Sequence, residues 1–266
     1  MNKITFFVLF TLKIGTFVFM NFKRFKRNLI ELSTVDSTNN YAANLLKTTN
    51  VVNGTTILTK RQEKGRGQMG TTWHTAPGKN MIVSTVIFPL LKNERAFYLN
   101  IAVSLAVNET LKDVGIASKV KWPNDIYVDG NKIAGILIEN QIQGKLIHSS
   151  IIGLGLNVNQ LIFPDAINAT SIAMEKGIDV EIDDVFESYF AHLDFYCDIL
   201  MQSNFDLLLK KYYSAMHCYD ELCEFQDVSG IFEGRVTGID AVGKLQILTE
   251  SGLKKYDLKE VKFHTL

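Results

Sequence analysis

Three stretches of this 266-residue chain carry side chains whose types and spacing could do chemistry. The first is Lys64-Gly65-Arg66-Gly67-Gln68-Met69-Gly70, with Trp73 just beyond it. Glycines let backbone N–H groups come close to an anion, and an arginine can clasp a carboxylate or phosphate through two bonds at once. Alone, such a stretch is as readily a solvated connection, since the Lys-Ser/Thr of a nucleotide P-loop is missing, and Trp73 alone reads as a core plug. The second stretch is Lys121-Trp122-Pro123-Asn124-Asp125 followed by Lys132-Ile133-Ala134-Gly135-Ile136-Leu137-Ile138-Glu139. Lys132 opens an otherwise apolar strand; burying its ammonium unpaired is costly, so it must reach water or a bound anion. Gly135 would let a ligand lie against the sheet, and Asp125 stands at the entry to the same hairpin, so the two opposite charges could face one cavity. The plain alternative is a surface salt bridge worth under about 1 kcal/mol. The third stretch is Gly153-Leu154-Gly155-Leu156-Asn157-Val158. Its alternate glycines clear space at a strand end, or let the strand bend around a neighbour, and Asn157 can both donate and accept.

These stretches need elements to hold them. Residues 29–32 form a short apolar run, and Ser37 or Thr38 offers an N-cap to a helix through Tyr41, Leu45 and Leu46. The β-branched run 55–59 predicts a strand that empties into a polar loop over 60–72, too long for a simple turn. Residues 80–88 are apolar on both faces, as a central strand requires, and Leu99, Val103, Ala106 and Leu111 predict a buried helix. Runs 126–128 and 132–138 flank Asp129-Gly130-Asn131, while 136–139 and 146–152 flank Gln143-Gly144, which predicts two hairpins and an antiparallel sheet. Phe186, Phe190, Leu193, Tyr196 and Leu200 mark an amphipathic helix over a sheet face. Beyond Tyr219 the runs 221–225, 230–239, 244–249 and 253–258 alternate with Gly/Asp turns and suit a small β-barrel.

Composition narrows the function. Lys and Arg together number 28, as do Asp and Glu, so the net charge is zero, and binding of nucleic acid chiefly through its phosphates is not expected. Of the three cysteines, Cys197, Cys218 and Cys223, none lies in a metal-binding spacing, and all three read as reduced thiols of a cytoplasmic protein. Residues 4–20 are strongly apolar and precede Lys23, Arg24, Lys26 and Arg27. Lys13 interrupts that run, no small-x-small cleavage site follows, and the charges lie on the wrong side for a signal peptide. We therefore read Met20 as the working start and expect no stable membrane association.

Taken in order and spacing, with Ser37-Thr38-Asn39 and Gln62 ahead of them, the three stretches resemble the catalytic domain of biotin protein ligases (biotin–[acetyl-CoA-carboxylase] ligases). The resemblance runs from about Leu29 to about Leu200 and resumes at Phe232-Glu233-Gly234-Arg235-Val236. It implies an α+β fold, with a catalytic domain like that of class II aminoacyl-tRNA synthetases on a mixed, largely antiparallel sheet, plus a small carboxyl-terminal β-barrel. The implied division is an extension over 1–28, the catalytic domain over 29–218 and the barrel over 219–266.

The implied reaction is activation of biotin with MgATP to biotinyl-5′-AMP, then transfer to one lysine of the carrier domain of acetyl-CoA carboxylase or a related carboxylase. By the same resemblance Ser37, Thr38, Asn39 and Gln62 line the biotin head-group pocket, and Gly65, Arg66 and Gly67 belong to a loop that folds over biotin and adenylate. Lys132 bridges the biotin carboxylate and the α-phosphate, beside Gly135. Trp73 lies near the adenine, Asn157 meets the phosphates and metal, and Asp125 meets the incoming lysine. Lys132, Arg66 and Asp125 are the expected catalytic residues, and no metal-ligating side chain is assigned. Gln68 stands where many bacterial relatives carry a second arginine. No winged-helix domain precedes the match, so a monofunctional enzyme without repressor activity is expected, with a homodimer possible. Lipoate–protein ligase is the nearest rival, and a non-catalytic, membrane-anchored binder of biotin or carrier is a third reading.

Overall fold

The computed structural model describes residues 28–164 and 167–264, so the apolar run and basic cluster before them, and the expectation that Met20 is the start, lie outside the described residues. In chain order the elements are β1 (Leu29–Leu32), α1 (Thr38–Thr48), β2 (Thr55–Thr59), β3 (Met81–Ile87), β4 (Leu91–Lys92), α2 (Ala96–Asp113), β5 (Lys119–Lys121), β6 (Asp125–Val128), β7 (Asn131–Gln143) and β8 (Leu146–Leu156). There follow α3 (Ile172–Lys176), α4 (Ile182–Met201), α5 (Phe205–Ala215), β9 (Leu222–Asp227), β10 (Gly230–Ile239), β11 (Leu245–Thr249), β12 (Gly252–Tyr256) and β13 (Lys262–Phe263).

The larger sheet runs β1-β2-β3-β8-β7-β6-β5, with β4 also on β8. Only β1 and β2 pair in parallel; the other pairings are antiparallel, so the sheet is mixed and largely antiparallel as expected. Its two faces differ because side chains alternate along a strand. Met81, Val83 and Ile87 of β3 and Ile152, Leu154 and Leu156 of β8 turn to one face and join the main core with α2 and α4. The opposite face carries a smaller apolar cluster of Ala42, Ile57, Val86 and Ile151 beneath α1, and then turns polar. That polarity is the site.

Residues beyond Tyr219 form a five-stranded antiparallel sheet, β12-β11-β10-β9-β13. Its Phe225, Val236, Leu245 and Ile247 belong to the same core cluster as α2 and α4, so apolar packing is continuous between the sheets. Trp122 Nε1 donates to Gly243 O at 2.9 Å across the junction. β13 was not expected: two residues carry no readable alternation. β5, at three residues, is equally hard to read, while α5 follows closely enough on α4 to be overlooked.

One expectation fails. Cys218 and Cys223 are joined in a disulfide, and Cys197 is buried outside that bond. The left-handed backbone at Cys218 turns the chain back toward β9, bringing together two thiols that spacing alone did not pair.

Candidate active site

A hollow of about 760 Å3 opens on the polar face of the larger sheet. Strand register explains its floor. Lys121 pairs with Asp125, Asp125 with Gly135, Gly135 with Gly155, and Gly155 with Ile82, so one transverse row crosses five strands. A second row, Leu137, Gly153 and Ser84, lies one step along. Glycine is required in both. A Cβ on Gly153 would stand 2.3 Å from Asn39 Oδ1, and one on Gly155 would stand 2.4 Å from Trp73 Cε2. The expected clearing of space is therefore real, and in this structure the Trp73 indole lies across the cleared floor.

At one end of the trench the groups are charged. Lys132 Nζ meets Asp125 Oδ1 at 2.6 Å, with each side chain about a quarter exposed, and Nζ sits 5.5 Å from the Trp73 ring centroid. The two opposite charges thus share one cavity. Lys121 Nζ lies 4.6 Å from the Tyr127 ring centroid and 5.7 Å from that of Phe263. Burial pushes the Lys121 ammonium below the usual lysine range, Asp125 pulls back, and Lys132 adds repulsion. Burial, then the Asp125 charge, pushes the Tyr127 hydroxyl up to about 12, so it stays protonated at neutral pH.

The other end is a hydrogen-bond network that terminates in the Arg66–Glu139 ion pair. Ser37 occupies the N-cap of α1 without bonding the helix through its side chain. Thr38 donates to Gln62 Oε1 through its amide at 2.8 Å and its hydroxyl at 3.1 Å. Ser84 Oγ lies 2.7 Å from Thr38 Oγ1 and 2.6 Å from Asn39 Oδ1, and its single hydrogen serves one of them at a time. Asn39 Nδ2 donates to Glu139 Oε2 at 2.7 Å, and Arg66 Nη2 donates to Glu139 Oε1 at 3.0 Å and Oε2 at 2.9 Å. A site that presents both donors and acceptors at one end and cations at the other suits a ligand with a polar head and an anionic tail.

Ser37, Thr38, Asn39, Gln62, Arg66, Gly67, Gln68, Trp73, Asp125, Lys132 and Gly135 all line this hollow. Two expected residues do not. Gly65 lines a separate depression, where a Cβ would run into the Trp73 carbonyl, and Asn157 is buried, its Nδ2 donating to Thr170 O at 3.0 Å. Asn157 therefore braces the backbone around Lys132. Arg66 also differs from a bare cation, because Glu139 holds it.

Sequence reasoning missed Ser84, Glu139 and the wall formed by Leu258, Lys259, Val261, Lys262 and Phe263. A lone serine inside the apolar run of β3 was a usable signal for the first; the others depend on contacts distant in sequence. No group of three or more His, Cys, Asp or Glu able to hold a metal occurs among the described residues.

The Biotin/lipoate A/B protein ligase family matches residues 32–157. The chain is 30% identical over 234 residues to the bifunctional ligase/repressor BirA of Bacillus spizizenii, covering 86% of this chain and 72% of that one. It is 33% identical over 131 residues to the biotin–[acetyl-CoA-carboxylase] ligase of Paracoccus denitrificans, covering 48% and 53%. Among solved structures, the biotin protein ligase from Aquifex aeolicus in complex with biotin and ATP superposes with a TM-score of 0.75 at 30% identity, covering 91% of this chain and all of that one.

Proposed function

Since the chain belongs to the biotin protein ligase family, we propose that it joins biotin to ATP in the glycine-floored trench and passes the biotinyl group to a lysine of a carboxylase carrier domain. It is an acyl-adenylate-forming ligase with ATP, Mg2+ and biotin as its small molecules. In the first step a biotin carboxylate oxygen attacks the α-phosphorus, the bond to the pyrophosphate oxygen breaks, and biotinyl-5′-AMP and pyrophosphate result. In the second the carrier amine attacks the acyl carbon, an amide forms, and AMP leaves with the bonding pair. The Mg2+ arrives as the nucleotide's own counter-ion, in keeping with its habit of binding through phosphates.

The observation that carries the reading is that Lys132 and Arg66 line one hollow, with Gly135 and Gly155 flat between strands beneath it. Adenylation brings two anions together, so the site must offset their repulsion and stabilise charge growing on the α-phosphate. At an effective dielectric near 20, a cation about 4 Å from the reacting oxygen is worth roughly 4 kcal/mol before desolvation, a rate factor of several hundred. Lys132 takes this role, with Asp125 holding its ammonium until substrate arrives. Thr38, Asn39 and Gln62, steadied by Ser84, hold the polar biotin head. Trp73 moves from the floor to cover the nucleotide, and Gly65, Arg66, Gly67 and Gln68 arch over the product. Asn157 supports Lys132 from behind.

Transfer needs an unprotonated amine, and a free lysine with pKa near 10.4 is neutral in only about one molecule in a few thousand at pH 7. Asp125, set beside Lys132 at the trench wall, can orient the incoming ammonium and draw off its proton.

At a finer level, the 29–218 segment is taken as a class II synthetase-like catalytic domain and 219–266 as a barrel-like companion that closes the nucleotide end. Pairing of two copies is consistent with this reading. No helix among the described residues is long and apolar enough to cross a membrane. We place the enzyme in the cytoplasm with its carboxylase substrate. The test is biotin-dependent against lipoate-dependent ATP–pyrophosphate exchange, followed by biotin transfer to a carboxylase carrier domain. Exchange with lipoate alone would overturn the assignment.

A further inference from the structure

We infer that Glu139 is a positioning residue: it latches the glycine-rich arch to the sheet through Arg66 and so governs how well the trench retains its labile product. The inference rests on the adenylating role proposed above. Glu139 lies on β7, two residues past Leu137 and on the same face, with its Cα opposite Ile151. Both carboxylate oxygens receive Arg66 Nη2, and Oε2 also receives Asn39 Nδ2. Asn39 is itself fixed by Leu137 O at 3.3 Å and by Ser84 Oγ. The carboxylate is thus aimed from the framework before it meets the arginine.

The arch needs such a tie. Its remaining bonds are largely internal or backbone, Gly67 N to Thr71 O at 2.7 Å and Trp73 N to Gly65 O at 2.9 Å, and three of its residues are glycines with much conformational freedom. Arg66 reaches 73 positions along the chain to Glu139. The contact uses Nη2, and a guanidinium carries five N–H donors, so the same side chain can hold Glu139 and still offer donors to an anion in the trench.

Hydrogen-bond contacts also link Glu139 to Asn39, Asn39 to Ser84, Ser84 to Thr38, and Thr38, through its amide, to Gln62. A ligand head bonding to Thr38, Asn39 or Gln62 therefore bears on the same framework that holds the arch. The pair's side chains are 41% and 38% exposed, a setting in which an ion pair adds little to global stability, so its removal reads out at the arch and not in folding.

The experiment compares the wild-type chain with E139Q, E139D, R66Q and the R66Q/E139Q double variant. Three quantities are read: tryptic nicking after Lys60, Arg61 or Lys64 in the ligand-free protein, escape of biotinyl-5′-AMP, and its rate of formation. E139Q is expected to raise nicking and escape roughly tenfold, the size of one charge-assisted contact, while formation changes less. E139D should restore part of the protection, and the double variant should nick no faster than R66Q. Wild-type nicking in E139Q, or effects that multiply in the double variant, would overturn the latch. Should E139Q fail to fold, R66Q reads the same contact from the loop side, with faster nicking for the latch and wild-type nicking against it. Absence of biotin-dependent exchange in the wild type would defeat the proposed activity alone, since nicking needs no substrate.

Discussion

The two faces of strands β3, β7 and β8 are built from the same residues in alternation, yet they solve opposite problems. Toward α2 and α4 the strands present Val83, Ile136 and Leu154, each almost wholly buried and matched in one row. One residue over, Ser84, Leu137 and Gly153 form the matching row on the other face, followed by Gly135 and Gly155. The apolar face gains stability by filling space; the polar face gives up side-chain volume so that a ligand can supply it. A period of two therefore separates what holds the protein from what it does, within single strands.

Substitutions on adjacent residues test that separation. Leu154→Ala, on the filled face, is expected to cost about 2–5 kcal/mol in urea unfolding while leaving biotin-dependent exchange largely intact in the cold. Large loss of activity with unchanged stability would break the comparison. Lys132→Ala should do the reverse, lowering adenylate formation several hundredfold by single-turnover measurement, as loss of one cation near the α-phosphate implies, with an unchanged thermal midpoint. Asp125→Asn sharpens the division within the trench: transfer to the carrier should slow by about a hundredfold, the scale of a lost general base, and activation by less. Equal loss in both half-reactions would make Asp125 a support for Lys132 only. The smallest effect is expected of Gly155→Ala, whose methyl must push the Trp73 indole off the floor; biotin affinity by calorimetry should weaken roughly tenfold with little change in stability.

Much of this was legible before any coordinates. β2 and β10 begin and end where the β-branched run and the Gly230 turn put them, and the Asp-Gly and Gln-Gly turns set both hairpins. The site could be read because its glycines alternate, a pattern that packing rarely favours, and because a lysine at the head of an apolar strand demands an anion or a partner. What stayed hidden is long-range. Glu139 looked like the last residue of a strand until Arg66, far upstream, was found on it. Lys121 showed nothing until Phe263 covered it, and the joining of Cys218 to Cys223 goes with left-handed backbone at both Cys218 and Asp220. Arg66 was expected to clasp a carboxylate or phosphate, and the carboxylate it meets in this structure is that of Glu139.

The wall of Val261, Lys262 and Phe263 has a consequence for how the molecule comes apart. Its strand, β13, is held by two residue pairs on β9, a slight attachment beside the long ladders of the larger sheet. In mild denaturant that flap should peel away first, unroofing Lys121 while the helices endure. Catalysis should then fade at a lower urea concentration than the far-ultraviolet dichroism does.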